Sequence, residues 1–592
     1  MKKNVLQKVL VFALTGAMAM GMLSGCGNSG SDTSNTSDTQ TTTDSTAATD
    51  NKETDNSTAA DTTTDAAADT ATDTEPAADT SAAGVDGYEA FADNVTLKVA
   101  VYDRGVEGVP TVNDNYWTKW VQENFGDKYN ITVEYVPITR TDVMTDYALL
   151  AAADDLPTIL MEYDYPKVAQ WANDGYLTTY DLDAFAQVAP TYYQRMVDLN
   201  QIPYTQMGGE TYFALAERPY YNTTYTYQNF VRLDWLKEVG YNEVPKTYDD
   251  MVDALTKIKE AGLCDYPGSP IVANKMVAVG ADTQNYGFRS YPLNEEEWVM
   301  YGDYNVVPMN WEPTKKYLQT ANELYNLGIT NPEYYITDDE TWKANFINGK
   351  AFNYSQYISA NMDFLNSFYE NNPDAELAIV PADAEYAGSY GYRTDNPFGM
   401  IICFSSSATE DELKAAWMYM EWMTQEENLF TMQWGIEGEN YTVENGLPVS
   451  VADYSGDYTQ GFNNSKDYWC VTIESRNAGT IEEIIAATTP TGLPQDFTQD
   501  VIDFYNKRVE VSTTEYACTD AIFAVALDSV SEYSGTLAAL WTEYYDTLTM
   551  CKPEEFEAKY EELTQKYLDA GFQEIADERL DAYNNGNTTK LQ

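Results

Sequence analysis

Apolar and polar positions alternate in a short run early in the chain. Asn94–Tyr102 (NVTLKVAVY) puts Val95, Leu97, Val99 and Val101 on one face, the period of a half-buried strand. A helix-like stretch follows around Trp117–Phe125, and then a second alternating run, Ile131–Val136. A small-residue helix, Tyr147–Asp154, is stopped by Pro157 and followed by a short apolar run at Thr158–Met161. Strand, helix, strand, helix, strand predicts an α/β fold with a parallel sheet. In such sheets ligands sit beyond the carboxyl ends of the strands. The loops at Tyr102-Asp103-Arg104 and Tyr163-Asp164-Tyr165 are therefore the first candidate site residues.

Three more helices carry clear signals. Thr247-Tyr-Asp-Asp250 resembles a capping box ahead of Met251, Leu255 and Ile258, with Gly262 as the stop. Glu412–Gln425 is expected to be amphipathic, with Leu413, Trp417, Met420 and Met423 inward. Pro553 opens a late helix with Phe556, Tyr560, Leu563 and Tyr567 on one side, ending near Gly571. Core packing is the expected role of all three stripes.

The front of the chain follows a different pattern. Lys2, Lys3 and Lys8 precede an apolar run, Val9–Leu23, the layout of a secretory signal peptide spanning 1–25. Leu23-Ser-Gly-Cys26 is similar to the bacterial lipobox, in which the cysteine is lipidated and becomes the mature N-terminus. From Cys26 to residue 87 the chain is Thr, Asp, Ser, Ala and Asn, with almost no large apolar residue to offset the entropy of ordering. It is expected to be a disordered linker with a root-mean-square reach of roughly 40 Å.

Composition then removes options. The chain has 34 basic and 94 acidic residues, a formal net charge of −60, which argues against nucleic-acid partners. It has no histidine, so Ser-His-Asp and Cys-His catalysis and histidine metal sites are excluded. Besides Cys26 the cysteines are Cys264, Cys403, Cys470, Cys518 and Cys551, without a CxxC pair; buried free thiols are expected. No G-x-x-x-x-G-K-[S/T] pattern appears, so any ATPase is a separate chain.

Several phrases in order resemble the extracellular solute-binding proteins of family 1, the sugar-binding receptors of bacterial ABC importers. They are LLAAADDLPTIL, WANDGYLTTYDL, VRLDWLKEVGYNEVPKTYDDMVDALTKIKEAG, FINGKAF (Phe346–Phe352) and WGIEGENYTVENGLPV (Trp434–Val449). The resemblance covers roughly Val95–Val449. It implies a two-lobed periplasmic-binding-protein-like fold with a hinge and a central cleft, closing on ligand like a clamp. By position, lobe one would be 93–215 plus 400–450 and lobe two 231–395 plus 480–592. Crossings would lie near 216–230, 396–400 and 451–479. Some long members carry a calcium-like loop where this chain reads CDYPGSPIVANK, without carboxylates at alternate positions. No metal and no cofactor are expected.

The implied function is capture of a solute, an oligosaccharide by preference, at the outer face of the cytoplasmic membrane. A lipid-anchored monomer would deliver it to ABC permease subunits, without catalysis. The 48 tyrosines and 12 tryptophans suit sugars, whose C–H faces stack on rings while hydroxyls meet carboxylates, amides and Arg. Candidate ligand residues beyond the two strand-end loops are Trp434 and Glu437 from the Trp-Gly-Ile-Glu-Gly turn, and Glu217, Arg218 and Tyr221 near the first crossing. From lobe two come Trp298, Tyr354, Gln356 and Tyr357, and then Tyr390, Tyr392 and Arg393 before the second crossing. Arg232 and Asp234 are assigned to structure, as an ion pair or cap. Two other readings stay open: a surface glycoside hydrolase, which needs only two carboxylates, and a receptor for peptides or cationic solutes, suggested by the acidity.

Overall fold

The computed structural model describes residues 85–588 except 86, 106–109, 219–226, 269–293, 303–305, 338, 359–361, 383–391, 394–395, 397, 445, 452–466, 475, 477–478, 513–516 and 519–520. The expected signal peptide, Cys26 and nearly all of the expected linker lie outside these residues, as does most of CDYPGSPIVANK. Among the described residues no helix is long and apolar enough to cross a membrane.

Two larger sheets organise residues 95–404. Their strands are β1 (Val95–Asp103), β2 (Ile131–Thr139), β3 (Ile159–Glu162), β4 (Phe213–Leu215), β5 (Tyr227–Arg232), β6 (Asn353–Tyr357), β7 (Leu377–Ile379) and β8 (Ile401–Phe404). The first sheet has the order β2-β1-β3-β8-β4. β1 runs parallel to β2 and β3, and β8 runs antiparallel to β3 and β4. β1 thus lies inside the sheet. Val95, Leu97, Val99 and Val101 are buried along one face, and Ala100 and Tyr102 are buried on the other. Each such aliphatic side chain contributes about 1.5–3 kcal/mol by burial. β2 extends to Thr139, three residues past the apolar run, because its ladder with β1 continues through Asp103↔Thr139. The second sheet has the order β6-β5-β7, with β5 antiparallel to both neighbours.

The buried side chains divide the molecule in the same way. One core draws on residues between Val95 and Ala216, Phe398 and Met432, and Tyr468 and Ile473, with Ile522 added from far along the chain. The cores around β5, β6 and the late helices draw on 230–380 and 481–576. This is the two-lobed α/β architecture that the order of motifs implies. Three stretches, at 216–217, 399–400 and 472–474, bond one another side by side. Gly399 N–H donates to Ala216 O at 3.1 Å, and Ala216 N–H to Met400 O at 2.9 Å. Glu217 N–H donates to Thr472 O at 2.8 Å, and Glu474 N–H to Glu217 O at 2.9 Å.

The helices mostly follow their signals, with one difference. Glu410–Thr424 starts with a capping box between Thr409 and Glu412, but from Ala415 to Thr424 it is buried on every side. Its Met and aromatic side chains all pack against the first sheet and its covering helices, so it is not amphipathic there. Gly571 interrupts the late helix where the sequence places its end. With φ 125 it makes a kink, and the chain continues as the helix Gln573–Asn584. Tyr533 packs where a Cβ at Gly571 would stand, so close approach and backbone conformation both call for glycine. Thr247 caps its helix by accepting the Asp250 N–H at 3.2 Å. Arg232 and Asp234 form the expected pair, at 2.6 and 2.8 Å, with the guanidinium over Trp235.

Candidate ligand site at the strand ends

β1, β2 and β3 are parallel, and β4 points the same way because β8 is antiparallel to both β3 and β4. Their carboxyl ends therefore share one edge of the sheet. The stretch Ala216–Arg218, the expected first crossing, leaves from that edge, since Ala216 directly follows β4.

At this edge the first strand delivers Tyr102, Asp103 and Arg104. The Tyr102 side chain is buried, and its hydroxyl donates to Met161 O at 2.9 Å and Glu162 Oε2 at 3.1 Å. Burial and then the Glu162 charge push its phenol well above the ordinary range. Arg104 forms a two-toothed pair with Asp467, at 2.6 and 3.1 Å, and Asp467 also accepts the Tyr102 N–H at 3.2 Å. Asp467 is 3% exposed. Burial pulls the Arg104 pKa down, but the Asp467 hydrogen bonds and charge outweigh it and hold the guanidinium above its usual value. Asp103 is exposed and accepts the Gly105 N–H at 2.8 Å.

β3 ends in Glu162, which is 1% exposed. A carboxylate buried there needs partners. It has the Tyr102 hydroxyl, the Tyr163 N–H at 2.9 Å and Lys167 at 3.7 Å. Lys167 also faces Asp164 at 3.6 Å. The Tyr163 ring lies 6.3 Å from that of Tyr102, and its hydroxyl reaches Cys470 Sγ at 3.9 Å. β2 adds Arg140, whose Cζ lies 4.8 Å from the Tyr102 ring centroid and 5.7 Å from that of Tyr163.

The crossing carries its own charges. Arg218 pairs with Glu474 at 2.7 Å, both largely buried. Arg195 faces Glu217 at 3.5 Å. Burial raises the Glu217 pKa and Arg195 opposes that rise. Arg476 lies with Cζ 4.8 Å over the Trp434 ring and donates to Ser450 Oγ at 2.9 Å. Burial lowers its pKa.

The structure thus gathers Tyr102, Asp103, Arg104, Tyr163 and Asp164 in one place, with Glu217 and Arg218 in the crossing that leaves the same edge. It places other candidates elsewhere. Tyr165 is buried, with its ring 5.3 Å from Phe213 and 6.5 Å from Phe398. Tyr354 is buried against Trp342, Phe346 and Phe364. Trp298 is buried beside Val299, Phe523 and Ala582. These three rings have core positions. Gln356 is half-buried in β6 opposite Gln228. Trp434 packs with Phe430 and Tyr441, and Glu437 stands exposed in the next turn. Tyr221 and Tyr390 lie outside the described residues, as do the side chains of Tyr357, Tyr392 and Arg393.

Arg140, Glu162, Asp467, Glu474 and Arg476 were not singled out from the sequence. Arg140 follows β2 as Arg104 follows β1, and reading β2 to its true end would have found it. Asp467 and Glu474 had no local signal, because their partners are hundreds of residues away.

Among the described residues no cluster of His, Cys, Asp and Glu has the makings of a metal site. Cys264, Cys403, Cys470 and Cys551 are buried free thiols. Burial pushes Cys264 up to about 11 and raises Cys403.

The profile of the bacterial extracellular solute-binding protein family matches residues 120–436, just over half of the chain. The chain belongs to that family. Lipoprotein LipO of Bacillus subtilis (strain 168) is 26% identical over 243 residues, which are 37% of this chain and 45% of LipO. The match thus spans about half the length of that relative. An extracellular solute-binding protein from Bifidobacterium longum subsp. infantis superposes with a TM-score of 0.55 at 14% identity, covering 84% of this chain and 100% of that one. The alginate-binding protein AlgQ2 gives 0.55 at 14% identity over 84% and 99%. The S. pneumoniae binding protein FusA, in complex with kestose, gives 0.51 at 13% identity over 83% and 99%. At these identities the likeness shows the fold, and membership of the family makes this chain an extracellular solute-binding protein.

Proposed function

We propose that the protein is the substrate-binding lipoprotein of an ABC importer and that its solute is an oligosaccharide. The observation that carries the reading is the cluster at the carboxyl ends of β1–β3. Two tyrosine rings 6.3 Å apart stand there with Arg104, Arg140, Asp467 and Glu162, at the edge from which the crossing leaves. Of these groups the half-buried Tyr163 ring can offer a face to sugar C–H groups, and the half-buried Arg140 and exposed Asp103 can offer bonds to hydroxyls, while buried Tyr102, Glu162 and Asp467 hold them in place. Ligand bound at that edge would touch both lobes, and only a ligand with differential affinity for the closed state drives closure. The solved alginate-binding protein and the solved complex with kestose lend the sugar class support. Cys26 would hold the protein at the membrane, with the linker as a tether to the permease.

A thermal-shift screen of the purified protein against mono- and oligosaccharides, short peptides and polyamines tests this. A ligand at 100 times its Kd stabilises a fold by about 2.7 kcal/mol. A shift with one oligosaccharide series is the expected result. Shifts with peptides or polyamines alone would keep the receptor and overturn the sugar.

A further inference from the structure

In a protein of net charge −60, basic side chains find carboxylates easily. Arg104, Arg195, Arg218 and Arg232 each pair with one, at Asp467, Glu217, Glu474 and Asp234. Arg140 does not: among the described residues no carboxylate lies within ion-pair distance of it. Several carboxylates of this edge are engaged otherwise, and Asp142, two residues on, is exposed and makes no ion pair with Arg140. Asp103 accepts the Gly105 N–H, Asp146 accepts the Thr139 N–H at 2.7 Å, and Glu162 and Asp164 share Lys167.

The position of Arg140 is nonetheless fixed. Its backbone N–H donates to Asp103 O at 2.9 Å, and its guanidinium lies over the rings of Tyr102 and Tyr163. Tyr102 is itself locked by its bonds to Met161 and Glu162. Stacking on a ring engages the face of a guanidinium and leaves its in-plane N–H fork to bond edge-on. That fork matches a planar carboxylate with two parallel bonds. A sugar hydroxyl would satisfy the N–H groups but leave the charge unbalanced, whereas a carboxylate answers both.

We propose that the oligosaccharide is acidic and that Arg140 receives its carboxylate, Tyr102 and Tyr163 serving as the platform beneath. This rests on the sugar-binding reading and names the class of sugar. Arg104, held by Asp467, is a positioning residue for the same edge.

The test uses pairs of oligosaccharides that differ only at the carboxyl: uronate-containing oligomers and the same oligomers carboxyl-reduced to neutral sugars. Binding to the purified protein is measured by calorimetry. The acidic member is expected to bind at least tenfold more tightly than its reduced partner. Arg140→Met, which keeps an apolar stem over the rings, is expected to abolish that preference with the melting temperature of the free protein unchanged. Equal or tighter binding of the reduced member to the native protein overturns the proposal and leaves the sugar reading standing. An acidic preference that survives in both Arg140→Met and Arg140→Gln also overturns it. Failure of every saccharide to bind overturns the sugar reading and the proposal together.

Discussion

The Arg104–Asp467 pair ties the end of β1 to a segment 363 residues later, and its removal should be costly. Asp467 is 3% exposed and Arg104 19% exposed at their side chains. In Asp467→Asn the shape is kept, but the guanidinium loses its counter-charge and one of its two acceptors becomes an NH2 group. Breaking a buried pair by removing one partner costs about 3–5 kcal/mol. The part-exposure of Arg104 lets water repay some of this, which leaves about 2–3 kcal/mol. Arg104→Met leaves Asp467, among the described residues, with only the Tyr102 N–H, and a similar loss is expected. The double variant no longer buries an uncompensated charge, so it should be well above the sum of the two losses in stability. Urea unfolding of all four proteins, followed by tryptophan fluorescence, gives the cycle. A coupling energy of about 2 kcal/mol is expected. Losses that add within about 0.5 kcal/mol, the behaviour of independent sites, would refute the claim that this pair fixes the strand end.

Three further outcomes follow from the same geometry. Gly399→Ala places a Cβ 2.5 Å from Glu474 Oε2 and 2.8 Å from its Cβ, so Glu474 must leave Arg218; a loss of about 1–3 kcal/mol in urea unfolding is expected. Glu217 has its folded pKa raised by burial, so the folded state holds its proton more tightly than the unfolded one. Its contribution to stability falls as pH rises from the ordinary glutamate value through the folded pKa, and Glu217→Gln should flatten that part of the stability profile. Cys26→Ala should abolish lipid labelling and release the protein from the membrane fraction; a variant still labelled would exclude Cys26 as the anchor.

How much of this was legible depends on the range of each interaction. The β1 stripe and the helix starts are local patterns, and the strand ends followed from them, so Tyr102–Arg104 and Tyr163–Asp164 were placed correctly at the edge. Tyr354 and Trp298 show the limit. A tyrosine in a strand and a tryptophan in a short helix read the same whether they face a ligand or a core. Only the facing residues decide, and these are Phe364, some ten residues on, for one and Phe523 and Ala582 for the other. The buried helix 415–424 misled for a related reason. A stripe predicts which side packs first, and a second covering layer, which leaves no mark within the segment, can bury the other side too.

Under the proposed closure on ligand, the backbone contacts between the two sets of cores constrain the motion. The stretches expected as crossings are bonded to one another through Ala216, Glu217, Gly399, Met400, Thr472 and Glu474. A second contact lies elsewhere. Gly208 N–H donates to Ala524 O at 2.9 Å, Ser531 Oγ bonds Gln170 Oε1 at 2.6 Å, and Ile522 enters the core of the first lobe. Ala524 belongs to the other lobe, since its N–H donates to Asn587 O and its neighbour Phe523 packs on Trp298 and Ala582. A rigid rotation that keeps both sets of bonds must run about an axis passing close to each of them. One attachment alone would allow rocking in any direction; two reduce the motion to opening and closing. Trp298 packs beside Phe523, on the segment that carries the second contact.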